Sequence, residues 1–306
     1  MSDDKTAREQ LTDTITVSGF KLGSLAARLL PGPVAGAAAQ AMGVTLAAGM
    51  RDKRGMIERH LRRVNPNLRG LALRQAVQQA FDSYARYYVE SFRLPSVSSR
   101  AVKAGFTLEG FEQIPAAIAQ GTGVILALPH LGGWEWAGRW LIEQGYRMTV
   151  VVEPIQPPEL FEWFVDLREK LGMTVVPLGP KAASAVLRAL HENQVVCLLC
   201  DRDLEHNGVP VTFFGEQTTL PAGPAMLGLR TGAPVLPVGV YFTDRYNGHH
   251  AVVRPALATD RRGGLREDVA RVTQDLAVEL EYLIRRAPEQ WHLFQPNWPS
   301  DPGYSD

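Results

Sequence analysis

The sequence predicts an α/β protein, with a central, mostly parallel sheet flanked by helices and preceded by a basic helical region. Three observations carry that expectation. Four short apolar runs, GVILALP (123–129), MTVVVE (148–153), MTVVPL (173–178) and VVCLLC (195–200), alternate with amphipathic segments around 134–145, 158–171 and 181–193. Continuous apolar runs of strand length separated by helices mark a parallel sheet covered on both faces. Charge is also unevenly distributed: Thr16 to Arg74 holds ten basic and two acidic residues, a local net of +8 in a chain whose total is zero. Finally, 45% hydrophobic and 21% charged residues over 306 positions, without low-complexity tracts, describe a folded chain long enough for one sizeable core.

Taken in order, residues 1–15 are polar and are expected to be loose. Val17 to Met50 is rich in Ala, Gly, Leu and Val, interrupted by Lys21 and Arg28 and broken at Pro31-Gly-Pro33. Its uncharged part, Leu29 to Met50, is long enough to span a bilayer. It is, however, mostly Ala and Gly, which gain little from lipid, and no signal-peptide pattern precedes it. Two helices lying against an interface, beside the Arg-rich segment 51–63, are the expected arrangement, with an anionic membrane surface as partner. From Ala72 to Phe92 the spacing of Ala76, Ala80, Tyr84, Tyr88 and Phe92 predicts a helix ending at Leu94-Pro95. The expected organisation is therefore a helical, basic, membrane-associating region over 1–106 and an α/β core over 107–306. Within the core, VPVTFF (209–214), VLPVGVYF (235–242) and HHAVVRP (249–255) are expected to extend the sheet, and 265–286 to form a closing helix. Cys197 and Cys200 are expected as core thiols on opposite strand faces, in keeping with a reducing cytoplasm.

Ligands gather at the carboxyl ends of strands in an open parallel sheet. GVILALP leads directly into His130, and VVCLLC into Asp201. If both strands run parallel in one sheet, the two side chains emerge on the same edge. A neutral imidazole can take a proton from a hydroxyl, and a carboxylate on its far nitrogen fixes the tautomer and stabilises the imidazolium. Gly132 and Gly133 are expected to let the backbone approach a substrate and to donate N–H bonds to an oxyanion, next to a helix N-terminus near Trp134. Glu135 lies five residues, about 500° of helix, beyond His130. It is therefore expected to brace the site, pairing with Arg168, rather than to contact the histidine.

These segments resemble the lysophospholipid acyltransferase superfamily, in particular its lipid A lauroyl/myristoyl branch, whose mark is a His-x4-Asp/Glu motif after the first strand. Here that motif runs from His130 to Glu135 in LALPHLGGWEWAG. The block at 201–238 is similar to the family's acidic strand end, FFG turn and proline-glycine helix start. PEQWHLFQPNW (288–298), which has no arginine, is similar to the actinobacterial phosphatidylinositol mannoside acyltransferases. The resemblance implies transfer of palmitoyl from acyl-CoA, a co-substrate rather than a bound cofactor, to the 6-hydroxyl of the mannose on inositol position 2. It implies catalytic roles for His130, Asp201 and Glu135, and substrate contacts from Arg168, Asn207 and Arg230. It further implies a monomer on the cytoplasmic face of the plasma membrane, with no metal and no nucleic acid partner. Two departures stand out. Asp201 takes a position where glutamate is expected, and Arg230 one where an acidic residue is expected. Another lipid acceptor is an alternative. A metal-dependent hydrolase using His130, Glu135, Asp201, Asp203 and His206 is a more distant one, since no HExxH-like spacing occurs. Trp134, Trp136, Phe213 and Phe214 are expected either in the core or along an acyl slot, and His249, His250 and His292 without a role.

Overall fold

The computed structural model describes residues 7–203 and 207–304. Four helices come first: α1 (Ala7–Leu29), α2 (Gly32–Gly49), α3 (Arg51–Val64) and α4 (Gly70–Arg93). A short helix α5 (Ser99–Ala104) leads into β1 (Phe106–Glu109), α6 (Gln113–Ile118), β2 (Val124–Leu128), α7 (Trp134–Glu143), β3 (Met148–Val152) and α8 (Pro158–Glu169). The chain continues through β4 (Thr174–Pro177), α9 (Ala182–His191), β5 (Val195–Leu199), β6 (Val209–Phe213), β7 (Glu216–Leu220) and α10 (Gly223–Thr231). It then passes through β8 (Val235–Phe242) and β9 (His249–Val253) to α11 (Leu265–Arg285).

Seven strands form one sheet in the order β1-β9-β8-β2-β5-β3-β4. β8, β2, β5, β3 and β4 run parallel, while β9 and β1 run the other way, joined through the antiparallel β8–β9 pair. Alternation within the apolar runs assigns side chains to the two faces. Ile125, Ala127, Val196, Leu198 and Cys200 pack against α9 and α11, and Val124, Leu126, Leu128, Val195 and Cys197 pack against α6 and α7. The two cysteines therefore lie on opposite faces, as the strand period requires.

Two expectations are corrected. VPVTFF does not extend the sheet: β6 pairs only with β7, in a hairpin closed by Phe214 and Gly215. Both turn residues have positive φ, 51° and 79°, matching the primed turns that suit tight hairpins. In addition, α1 begins at Ala7 rather than after a loose stretch to residue 15. The run AREQL is made of strong helix formers, so its helical propensity outweighs its polarity.

The N-terminal helices pack by two different means. α2 offers α4 a stripe of small residues four apart, Ala35, Ala39, Gly43 and Ala47, all buried. A Cβ at Gly43 would lie 2.8 Å from Cα of Asp82, so the backbones approach closely because nothing projects between them. α3 buries Met56, Ile57, His60, Leu61 and Val64, leaves Arg51, Arg59 and Arg62 exposed, and turns Arg63 onto the Trp298 ring and Asp301. Among the described residues no single helix is long and apolar enough to cross a membrane, although α2 and α3 together, bent by 100°, meet those criteria by length and composition. Gly43→Val should cost about 1–3 kcal/mol by overpacking and loosen α2 specifically. Hydrogen exchange should accelerate across 32–49 while amides of β2 and β5 keep their protection; uniform protection would show that the small-residue stripe is not what seats α2.

Candidate active site

β2 and β5 are adjacent and parallel, with Leu128 beside Leu199 in register, so the chain leaves both strands at the same edge. His130 and Asp201 meet there, with Nδ1 of the imidazole 2.6 Å from Oδ1 of the carboxylate. The backbone N–H of His130 donates to Oδ2 at 3.0 Å, and the Trp291 indole N–H donates to the same oxygen at 2.7 Å. Asp201 is fully buried. Burial alone would raise its pKa, but the charge and hydrogen bond of His130, with the bond from Trp291, outweigh that and hold it at about 2. Because Asp201 occupies Nδ1, Nε2 is the nitrogen left to face the cleft. The shorter side chain reaches the histidine because its backbone follows the neighbouring strand.

The loop carrying His130 is held by the C-terminal segment 288–298, which acts as a strap. The N–H of Gly132 donates to the Gln290 carbonyl at 3.0 Å, that of His292 donates to the His130 carbonyl at 2.7 Å, and Leu131 and Trp291 form an antiparallel bridge. Gln290 itself brackets the backbone of Phe242, accepting from its N–H and donating to its carbonyl. The Asn297 amide donates to the Asp201 carbonyl at 3.2 Å. This corrects the expected use of the glycines. The Gly132 N–H is committed to the strap and is not free for an oxyanion. At φ +57°, a Cβ there would lie 3.1 Å from Cα of Tyr241, and one at Gly133 would lie 2.7 Å from Nε2 of His249. Both glycines allow close packing on β8 and β9.

Glu135, in the first turn of α7, is buried and turned away from His130. Its Oε1 accepts from the Tyr87 hydroxyl at 2.6 Å and from Arg168 Nη2 at 3.0 Å. Arg168 lies over the faces of Trp134 and Phe164, at 5.2 and 5.5 Å. Burial would lower its pKa, but the Glu135 charge reverses the balance and keeps it firmly cationic, while burial and Glu135 together push the Tyr87 phenol up. Tyr87, from a helix 48 residues upstream, was not visible as a partner in the sequence.

A cleft of about 570 Å³ opens over His130, within the range of small-molecule sites. Trp134, Phe161, Phe164 and Leu199 supply apolar wall, and Arg168, Arg202 and the rim residue Asn207 supply polar groups. Asp203 borders it too, but its carboxylate accepts from Gly208 N–H and Thr219, tying the loop to the β6–β7 hairpin. Arg230 is not brought to the cleft. The cleft borders α10 at Gly223 and Pro224, whereas Arg230 is exposed near the other end of that helix. His206 lies outside the described residues. Among those described, no group of three or more His, Cys, Asp or Glu is gathered as a metal would require, and Glu135 is committed to Tyr87 and Arg168. Trp136 stacks on His249 at 4.4 Å, and Phe213 and Phe214 pack with Trp291 and Trp298, so of the four aromatics only Trp134 borders the cleft.

His292, expected to be without a role, borders the cleft, and its Nε2 is 2.9 Å from the Ser83 hydroxyl. Burial, reinforced by the His130 charge and partly opposed by Asp201, pulls its pKa down from 6.5 to about 3. In the unfolded chain this histidine takes up a proton below about pH 6.5; folded, it does not. Folding stability is therefore lost as pH falls from about 6.5 toward 3. His292→Gln should show a shallower decline of melting temperature between pH 6.5 and 4 than the parent protein. Parallel declines would mean that His292 is not held neutral.

A family described as bacterial lipid A biosynthesis acyltransferase matches residues 7–300. The chain is 42% identical over 227 residues to a phosphatidylinositol mannoside acyltransferase of Mycobacterium tuberculosis, covering 72% of this chain and 70% of that relative. It is 38% identical over 228 residues to the enzyme of the same name from Mycolicibacterium smegmatis, covering 74% and 73%. A lipid A biosynthesis acyltransferase of Haemophilus influenzae is 26% identical over 186 residues, covering 60% and 55%. With a strand-end His–Asp pair opening into a largely apolar cleft, and a family match over nearly its whole length, the chain belongs to the bacterial lipid A biosynthesis acyltransferase family and is an acyltransferase.

Proposed function

We propose that the protein transfers a palmitoyl group from acyl-CoA to the 6-hydroxyl of the mannose on inositol position 2 of phosphatidylinositol mannosides. The observation that carries this reading is the His130–Asp201 pair beneath the cleft, in a chain whose mycobacterial relatives bear the mannoside acyltransferase name. In the proposed step, Nε2 of His130 takes the proton of the mannose hydroxyl as its oxygen attacks the thioester carbonyl. Asp201 stabilises the imidazolium that forms. The tetrahedral intermediate collapses, the carbon–sulfur bond breaks, and the imidazolium returns its proton to the departing thiolate. An ester and a free thiol result, without a covalent acyl-enzyme. Arg168 and Asn207 flank the donor, and Glu135 braces Arg168 from behind.

Docking on the cytoplasmic face of the plasma membrane, as a monomer, completes the proposal. Ile15, Leu22, Leu25 and Leu29 are 57–76% exposed, and their spacing places them on one face of α1. Val34 and Val44 of α2 and Leu71 of α4 are exposed as well, as are the cations Arg51, Arg59, Arg62, Arg69 and Arg74 of the same helical region. Apolar side chains flanked by cations suit an anionic lipid surface.

Purified protein given radiolabelled palmitoyl-CoA should acylate mannosylated phosphoinositides and leave the unmannosylated lipid unlabelled. Labelling of a lipid A precursor or lysophospholipid instead would overturn the acceptor assignment. His130→Ala and Asp201→Asn should each lower kcat by about 10²–10⁴-fold with unchanged circular dichroism, and near-parental turnover in either would remove it from the mechanism. The triple substitution Leu22→Glu, Leu25→Glu, Leu29→Glu should abolish flotation with phosphatidylserine-containing vesicles. Persistent flotation would assign docking to another surface.

A further inference from the structure

The carboxylate of Asp201 has two oxygens with different duties. Oδ1 faces Nδ1 of His130, while Oδ2 accepts from the His130 backbone and from Trp291. Trp291 cannot drift from this position. Its backbone pairs with Leu131, and its buried ring lies against Phe213, Phe214 and His60, with centroids 6.1, 5.7 and 5.7 Å away. An indole nitrogen only donates, and here its N–H meets a carboxylate sealed from solvent.

From this geometry we infer that Trp291 is a positioning residue of the acyl-transfer site: its N–H fixes which oxygen of Asp201 meets His130 and sets how firmly the pair holds a proton. The inference rests on the assignment of His130 as the base. A donor on Oδ2 draws charge away from Oδ1, so Trp291 tempers the pull of Asp201 on the imidazolium. Remove the donor, and the carboxylate becomes more basic. His130 then holds its proton more tightly and enters its reactive neutral form only at higher pH. The other charged or titratable groups facing the imidazole across the cleft are Glu153, Arg168, Cys200, Arg202, Asp203, His292 and the α4 tyrosines, of which the Cys200 thiol is buried and donates to the Leu128 carbonyl. None of them touches Oδ2 in the hydrogen bonds of Asp201 described above. Arg168 is neutralised by Glu135, Arg202 pairs with Glu153, and Asp203 is held by Gly208 and Thr219.

The test compares the full chain with Trp291→Phe by two measurements. NMR of ¹³C-histidine-labelled protein reads the His130 midpoint without any substrate, and the pH profile of kcat/KM with palmitoyl-CoA reads the base in action. In the variant, the midpoint and the acid limb should both move up by about one pH unit, the size expected when a hydrogen bond to a charged group is lost. The KM for palmitoyl-CoA should stay within about two-fold, since Trp291 does not border the cleft. A residue that only fills space would lower stability without moving either pH value, so an unshifted or downward-shifted midpoint in folded protein overturns the inference. Should Trp291→Phe fail to fold, a benzothienyl side chain at position 291 keeps the ring shape and removes only the N–H, and the same shift is expected. If the midpoint rises in a protein that turns over no thioester, the acyltransfer reading fails while the assignment of Trp291 stands.

Discussion

The site depends on one buried charge. Taking a carboxylate out of water costs several kcal/mol unless it is paired and fully hydrogen-bonded. Asp201 meets that requirement with the imidazole and backbone of His130 and the indole of Trp291. Each partner comes from a different part of the chain, so the charge is tolerable only when β2, β5 and the strap are all in place. The strap is in turn held by the N-terminal helices. His60 bonds the Leu293 carbonyl and Asp301, Ser83 meets His292, and Phe81 and Tyr84 pack on Phe294. Helices with surfaces suited to lipid and the group that orients the histidine are thus mechanically continuous.

Glu135 occupies the opposite electrostatic situation within the same motif. It is spent on Arg168 and Tyr87, both drawn into the wall beside Trp134. Two carboxylates five and seventy-one residues from His130 therefore divide the labour by geometry rather than by sequence proximity. The nearer one organises the wall, and the farther one meets the imidazole. Strand order explains this: β5 lies beside β2, whereas the Glu135 side chain is taken up by Tyr87 and Arg168.

Much of the core was legible because burial on both faces forces strands such as VILAL and VVCLL to be continuously apolar, and strand ends are where side chains converge. The adjacency of His130 and Asp201 and the Glu135–Arg168 pair were readable on those grounds. β1 (FTLE) and β7 (EQTTL) carry no such signal, being short and polar because one edges the sheet and the other lies in a separate hairpin. Gly132 gives its N–H to the strap and packs on β8, and a glycine needed for packing looks the same in sequence as one needed for a ligand. Arg230, expected at the site only through the family resemblance, lies at the end of α10 away from the cleft. Tyr87, Trp291 and His292 were unreadable as partners for a simpler reason. They reach the site across 48, 90 and 162 residues of chain, and no local spacing encodes such contacts. The one available signal was that Trp291 and His292 share a distinctive block, PEQWHLFQPNW.

The position of the strap also has a temporal meaning. Residues 288–298 are translated after every strand of the sheet and after α11, whereas α1 and α2 are made before them. A nascent chain can therefore present Leu22, Leu25 and Leu29 while Asp201 still lacks its indole partner and His130 its backbone tether. Competence arrives only once the strap has been made and has docked, by which time the exposed apolar face of α1 has already had the opportunity to form.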